Sequence, residues 1–352
     1  MPNYRLCFKL SCAASFPIDQ TCMTNLAHKP NLQPAFHHNS YEELIGGHWY
    51  YTVEYAPGYY TPGQSYPNVS LSRHLLSHCD VAGSVCLDSG VQEGLISTLL
   101  AKRGGKVTAI DAGNMSKKVA FVKDLHGVDY DYYPHVQLDR QYEFLRQKQQ
   151  LENFGNPPIP EDGYCDFDVV VLSGLIYHVF SPLHALGYAR SMLREGGIMI
   201  VETGAMLRPD YVAQHNFNGE GYYYSWSDTW LWSVPLLDYM LRFCRLAPLE
   251  CVYLKSSSDI VRIGVACRAI PDVLPDVKET AMMDSTRNFD YCQIIRRPQF
   301  KPGATDVRYI PSIQGTVMRE HTKTCDLYRT LLATKPYEPT PDECVLRLNA
   351  MY

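Results

Sequence analysis

An α/β fold built on a doubly wound, mostly parallel sheet is what this 352-residue sequence predicts. From residue 85 to 101 a short apolar run, Val85-Cys86-Leu87, passes through Asp88-Ser89-Gly90 and Gly94 into a helical stretch. That pattern reads as buried strand, glycine turn and helix. Strand-like and helix-like segments then alternate to residue 203, which implies right-handed crossovers and a parallel sheet. Asp88, Gly90, Asp111, Ser173, Gly174 and Glu202 all fall at the carboxyl ends of these predicted strands, the edge where such sheets bind ligands.

Taken in order, residues 1–40 hold prolines at 2, 17, 30 and 34 and little periodicity, which predicts an irregular arm. His37-His38 lies there without a spaced third ligand, so no metal is expected. A short helix at 41–45, capped by Ser40 and closed by Gly46-Gly47, precedes an aromatic strand-like run at 48–54. Turns at Pro57-Gly58 and Pro62-Gly63 lead to a helix over 70–79. Gly90 and Gly94 bracket a loop whose backbone must approach something closely. The helix after it points free N–H groups at the same place. The run Val107-Thr108-Ala109-Ile110 ends in Asp111, twenty-three positions beyond Asp88. This is close to the spacing at which nucleotide folds offer a carboxylate to ribose hydroxyls.

Helices at 116–126 and 140–152 flank a third strand at 130–138, and prolines at 157, 158 and 160 break the second helix. Residues 167–172 form a fully buried strand that turns at Ser173-Gly174. Pro182 starts a helix that Gly196-Gly197 ends, and 198–201 is the next strand, with Glu202 at its carboxyl end. An aromatic, lid-like segment covers 222–232, a helix covers 234–244, and strands at 249–255 and 261–268 close the pattern. Beyond 268 only a helix at 322–333 stands out, so residues 269–352 form an extension that wraps the core or mediates a subunit contact. The expected division is an arm (1–40), a principal domain (41–268) and this extension.

The composition, 46% apolar and 20% charged, supports a large core. With net charge −5, and with Lys117-Lys118 and Arg296-Arg297 as the densest basic runs, there is no phosphate track. A nucleic-acid partner is therefore not expected. The 26 tyrosines cluster, either as cleft walls with an apolar body and polar tip or as loop filler. Twelve cysteines without Cys-x-x-Cys or zinc spacing point to a reducing, cytoplasmic compartment. No window approaches the eighteen apolar residues of a membrane span.

Three blocks carry a resemblance. They are Trp49-Tyr50-Tyr51-Thr52-Val53-Glu54 with Thr61-Pro62-Gly63; Cys86 through Gly94 with Ile110-Asp111; and residues 167–178 with Ser181-Pro182-Leu183. Gly196-Gly197 and Val201-Glu202-Thr203 add to them. On these residues the chain resembles class I S-adenosylmethionine (SAM) dependent methyltransferases. More narrowly, it is similar to the branch related to the tRNA wobble-uridine carboxymethyltransferase family, over roughly residues 45–268. The resemblance implies a seven-stranded Rossmann-like sheet with SAM as cofactor. Asp88, Gly90, Gln92 and Gly94 would line the methionine end, Asp111 and Ala112 the ribose, and Ser173-Gly174 with Tyr177 the sulfonium and substrate. Gln92 stands where the branch has a glycine. No counterpart of the lysine that a carboxylated cofactor calls for is present, so plain methyl transfer is implied.

For chemistry, Tyr177, His178 and Glu202 are the ionisable candidates at the expected edge. His178 has a suitable unperturbed pKa, or is held for structure, and Glu202 could instead hold a substrate amine. Trp49, Tyr50, Tyr51, Tyr60, Trp230 and Trp232 either box a cationic group or form plain apolar cleft walls. The leading expectation is a cytoplasmic methyltransferase acting on an oxygen, nitrogen or sulfur of a small metabolite, with 269–352 as the segment through which a homo-oligomer would form. The alternatives are an RNA (tRNA) methyltransferase and an inactive SAM-binding regulatory or scaffold subunit.

Overall fold

The computed structural model describes residues 43–63, 68–152, 167–216, 229–270, 307–311, 316–317 and 327–348. The arm with Ser40 and His37-His38, lid residues 222–228 and the start of the 322–333 helix lie outside the described residues. Helix α1 (Asn68–Ser77) precedes strand β3 (Val85–Ser89), helix α2 (Leu95–Lys102), β4 (Lys106–Ile110), α3 (Ser116–His126) and β5 (Asp131–Tyr133). Next come α4 (Gln141–Glu152), β6 (Phe167–Ser173), α5 (Pro182–Met192) and β7 (Leu193–Met206). A short pair, β8 (Ala213–Asn216) and β9 (Thr229–Ser233), leads to α6 (Val234–Phe243), β10 (Leu246–Lys255) and β11 (Ile260–Ala269). A hairpin of β1 (Thr52–Ala56) and β2 (Tyr59–Tyr60) stands before all of these.

Among the described residues the main sheet has ten strands: seven run in the order β10-β11-β7-β6-β3-β4-β5, β12 (Thr316–Val317) extends it beyond β10, and β9 pairs with the end of β7 and with β8. Strands β3 to β7 pair in parallel, while β11 is antiparallel to β7 and to β10. The two faces alternate residue by residue. Leu87, Ile110, Val170, Leu172, Met199 and Val201 join one buried cluster, and Cys86, Ala109, Val169, Val171, Ile198 and Ile200 the other. Burial on both faces is why these strands read as continuous apolar runs. Helix α1, α2 and α3 residues fill the second cluster, and α4, α5 and α6 residues the first, giving the doubly wound sandwich.

Some boundaries differ from expectation. The third strand is limited to Asp131–Tyr133, because the chain turns at His135 with φ 64. Gly196-Gly197 do not end α5. The helix stops at Met192 and Leu193 is already extended, so these glycines lie within β7. Strand β7 also runs on to Met206, which places Glu202 inside a strand rather than at its end. This extension exists because β11 offers a partner along the whole length, from Arg268↔Ile198 to Ile260↔Met206.

The extension beyond 269 contributes to both layers. Leu327 and Leu331 of α7 (Leu327–Ala333) are buried in the first cluster, and Val307, Tyr309, Tyr337 and Leu346 in the second. Strand β13 (Val345–Leu346) pairs in parallel with β1, Thr52 opposite Val345 and Val53 opposite Leu346.

Candidate functional site

The carboxyl ends of β3, β4 and β6 open on one edge, where the chain makes three turns. After β3, Gly90 takes φ 79, its N–H donates to the Ile110 carbonyl (2.8 Å), and an added Cβ would lie 2.5 Å from a Leu175 methyl carbon. Gln92, at φ 50, keeps the left-handed turn without being glycine. Its backbone N–H donates to Asp111 Oδ2 (2.9 Å), while Gly113 N–H donates to Asp111 Oδ1 (2.7 Å). Asp111 is thus oriented by two backbone amides with lone pairs left over; Ala112 beside it is exposed. Gly94, at φ 88, caps α2 under the Tyr130 hydroxyl.

Asp88 is 2% exposed and accepts one short bond from Ser97 Oγ (2.6 Å). Among the described residues no cation pairs with it. Burial, and then the charge of Asp111, push its pKa from 3.8 up to about 7, against the Ser97 hydrogen bonds. A buried carboxylate without a counter-ion is the place for a cationic ligand group.

After β6, Gly174 has φ 70 and donates its N–H to the Glu202 carbonyl (2.9 Å). A Cβ there would meet nothing nearer than Tyr177 Oη at 3.6 Å and Arg262 Nη2 and Glu202 Oε2 at 3.7 Å. Glu202 and Arg262 make a buried bidentate pair, with Nε to Oε1 at 2.6 Å and Nη2 to Oε2 at 2.7 Å. The sheet register explains how both fit: Arg262 lies opposite Gly204 and Glu202 opposite Gly264, so each long side chain crosses a glycine to reach its diagonal partner. Burial raises the Glu202 carboxyl pKa, opposed chiefly by Arg262. Ser173 Oγ also donates to Glu202 Oε2 (3.3 Å) and touches Ser72 Oγ (2.8 Å).

Tyr177 is buried with the Arg262 guanidinium 4.9 Å over its ring. His178 packs against Tyr177, ring centroids 4.1 Å apart, and is exposed to solvent. Although one edge of the ring meets solvent, desolvation of the face packed on Tyr177, and then the Arg262 charge, lower its pKa to about 4.

The aromatic candidates separate. Tyr51 is buried, its phenol pKa raised well above 10 by burial and by the negative fields of neighbours including Asp88 and Glu202. Its ring is part of the second core cluster, with Trp49 and Val53. Tyr50 stacks edge-on against it at 5.0 Å. Trp49 is wholly buried, donates Nε1–H to the Leu44 carbonyl (2.8 Å) and packs on Phe121. Trp232 is in the core, and half-buried Trp230 packs on His215. Strand alternation turns Leu231 between them toward Tyr177, with Met206 and Ile260. Tyr60 lies at the hairpin, beneath Arg347, which follows β13. Two contributors were not singled out from sequence. Arg262 interrupts the apolar run of residues 260–267, and Glu93 lies inside the glycine loop itself; those positions were the available signals.

Strand order and the glycine loop after β3 together give the class I SAM-dependent methyltransferase fold. Residues 68–242 match the family described as a methyltransferase domain. Over 124 residues the chain is 32% identical to a ubiquinone biosynthesis O-methyltransferase of Marinobacter nauticus, covering 35% of this chain and 45% of the relative. Over 122 residues it is 34% identical to the protein of the same name from Caulobacter vibrioides, covering 34% and 41%. The matches span less than half the length of these relatives. Among solved structures, the 1,6-didemethyltoxoflavin-N1-methyltransferase of Burkholderia thailandensis is similar at 16% identity, with TM-score 0.40 over 58% of this chain and 77% of that one. The residues fit SAM: Asp88 offers a buried uncompensated carboxylate to a cationic end, and Gly174 leaves a cradle that a side chain would fill.

Proposed function

We propose that this protein transfers the methyl group of SAM to a small-molecule acceptor. The observation that carries the reading is the convergence of the Gly90–Gly94 loop, Asp88 and Asp111 on the edge that also holds Gly174 and Tyr177. The relatives' names, O-methyltransferases of ubiquinone biosynthesis, favour an oxygen acceptor. The likeness to the wobble-uridine branch is read as kinship of the site, and a net charge of −5 argues against tRNA as the acceptor.

SAM, when bound, supplies an electrophilic methyl on a sulfonium. The chain's part is to hold the reactants in line, which can remove roughly 7–11 kcal/mol of a barrier. Asp111 would accept from ribose hydroxyls, and ionised Asp88 would face the cationic methionine end. Tyr177, fixed by Arg262, would orient the acceptor beside Gly174. His178 is neutral at pH 7 and a weak base, suited to an acceptor hydroxyl that ionises easily or to steering at the rim. Glu202, engaged with Arg262, serves as a positioning residue for Tyr177 rather than as a proton acceptor.

The test is melting with S-adenosylhomocysteine, followed by turnover of methyl-labelled SAM against small phenols, carboxylates, amines and thiols. Ligand at a hundred times its Kd should add about 2.7 kcal/mol of stability, a shift of several degrees. No shift at millimolar ligand would overturn the cofactor assignment. Label appearing in tRNA and not in small molecules would overturn the acceptor class.

A further inference from the structure

Glu93 lies in the cofactor loop between Gly90 and Gly94 and is 1% exposed. Its carboxylate accepts two successive backbone N–H groups from the far N-terminal side of the domain. Tyr50 N–H donates to Oε1 (2.9 Å) and Tyr51 N–H to Oε2 (3.2 Å). Lys118 Nζ of α3 completes the group at 3.0 Å from Oε1, and also bonds the His48 carbonyl and covers the Trp49 ring at 5.0 Å. Both amides precede β1, so no strand ladder holds them. One loop carboxylate therefore ties the glycine loop to the segment that carries buried Tyr51, whose carbonyl also accepts from Thr61 Oγ1 (3.1 Å). At its other end this segment continues into β1, held by β13 and by Glu54, which accepts from Leu348 N–H (3.2 Å).

We propose that Glu93 is a positioning residue that couples the state of the cofactor loop to the placement of Tyr51. Through it, cofactor binding and the shape of the acceptor side are set together. A loop that shifts on binding carries the two amides with it, and a displaced 50–51 segment pulls the loop from its binding shape. The proposal rests on the SAM-site reading.

The experiment compares wild type, Glu93→Gln and Glu93→Ala in the full-length chain. S-adenosylhomocysteine affinity is read by calorimetry and amide exchange at residues 50 and 51 with and without that ligand. Losing two charge-assisted hydrogen bonds should weaken ligand binding about tenfold or more in Glu93→Ala, with Glu93→Gln intermediate because one amide oxygen still accepts. In wild type the ligand should slow exchange at 50 and 51, and in Glu93→Ala it should not. If Glu93→Ala is not folded, Glu93→Gln and Lys118→Met carry the comparison, each with faster exchange at 50 and 51 before any ligand is added. Wild-type affinity and exchange in a folded Glu93 variant would overturn the coupling while leaving the cofactor site intact. Failure of wild type itself to bind would overturn the SAM reading, and the coupling with it.

Discussion

Replacing Asp88 by Asn should make the ligand-free protein more stable at pH 8 while removing its hold on SAM. The carboxyl is 2% exposed and its pKa is raised from 3.8 to about 7. The folded state therefore binds the proton more tightly than the unfolded one, and Asp88's favourable contribution is full below pH 3.8 and lost as pH rises through 7. A rise of about three pH units corresponds to about 4 kcal/mol, at about 1.4 kcal/mol per unit. Asparagine has nothing to ionise, and its carbonyl can still accept from Ser97 Oγ. The stability difference between Asp88→Asn and wild type should thus grow by about 1.4 kcal/mol per pH unit from pH 5 to 7 and level off above. Urea unfolding at pH 5, 6, 7 and 8 measures it, with S-adenosylhomocysteine titrated in parallel. A difference independent of pH, or a variant less stable than wild type at pH 8, would refute an uncompensated buried carboxylate at this position. In the same series, wild-type affinity for SAM should fall as pH drops below 7, because protonated Asp88 cannot balance a cation.

Asp111→Ala removes the acceptor of the Gln92 and Gly113 amides and should abolish the ligand-induced melting shift; an undiminished shift would mean the ribose lies elsewhere. Arg262→Met strands a buried carboxylate and should cost roughly 3–5 kcal/mol in urea unfolding, whereas the double change with Glu202→Leu should recover much of it. If the two losses simply add, the pair is not coupled. Gly94→Ala places a methyl against the Tyr130 hydroxyl at φ 88, and adding Tyr130→Phe should relieve only part of the loss, since the backbone strain of about 1–2 kcal/mol remains. With its pKa lowered to about 4, the His178 ring should add no step to turnover above pH 6 at saturating SAM, and a rate step near 6.5 that vanishes in His178→Ala would contradict its environment.

The amino-acid sequence alone determined the sheet and the sharp glycine turns at its carboxyl edge. Val169 to Leu172 are apolar at every position because a central parallel strand is covered on both faces. Gly90, Gly94 and Gly174 take positive φ where the chain must turn sharply at strand ends. These signals sit within a few consecutive residues, so periodicity and turn chemistry expose them. Asp111 was legible for the same reason, one helix and one strand away from Asp88. What only the tertiary structure decided are the pairings between distant segments. Glu202 meets Arg262 because two strands align glycines opposite both charges. Glu93 reaches Tyr50 and Tyr51 across more than forty residues, and β13 reaches β1 from the other end of the chain. Of the aromatic residues, Trp49 and Tyr51 fill one core cluster and Trp232 the other, while Tyr60 lies at the hairpin under Arg347. Local composition is the same for all four, and the direction of a side chain is set by the element beneath it and the neighbours it packs against.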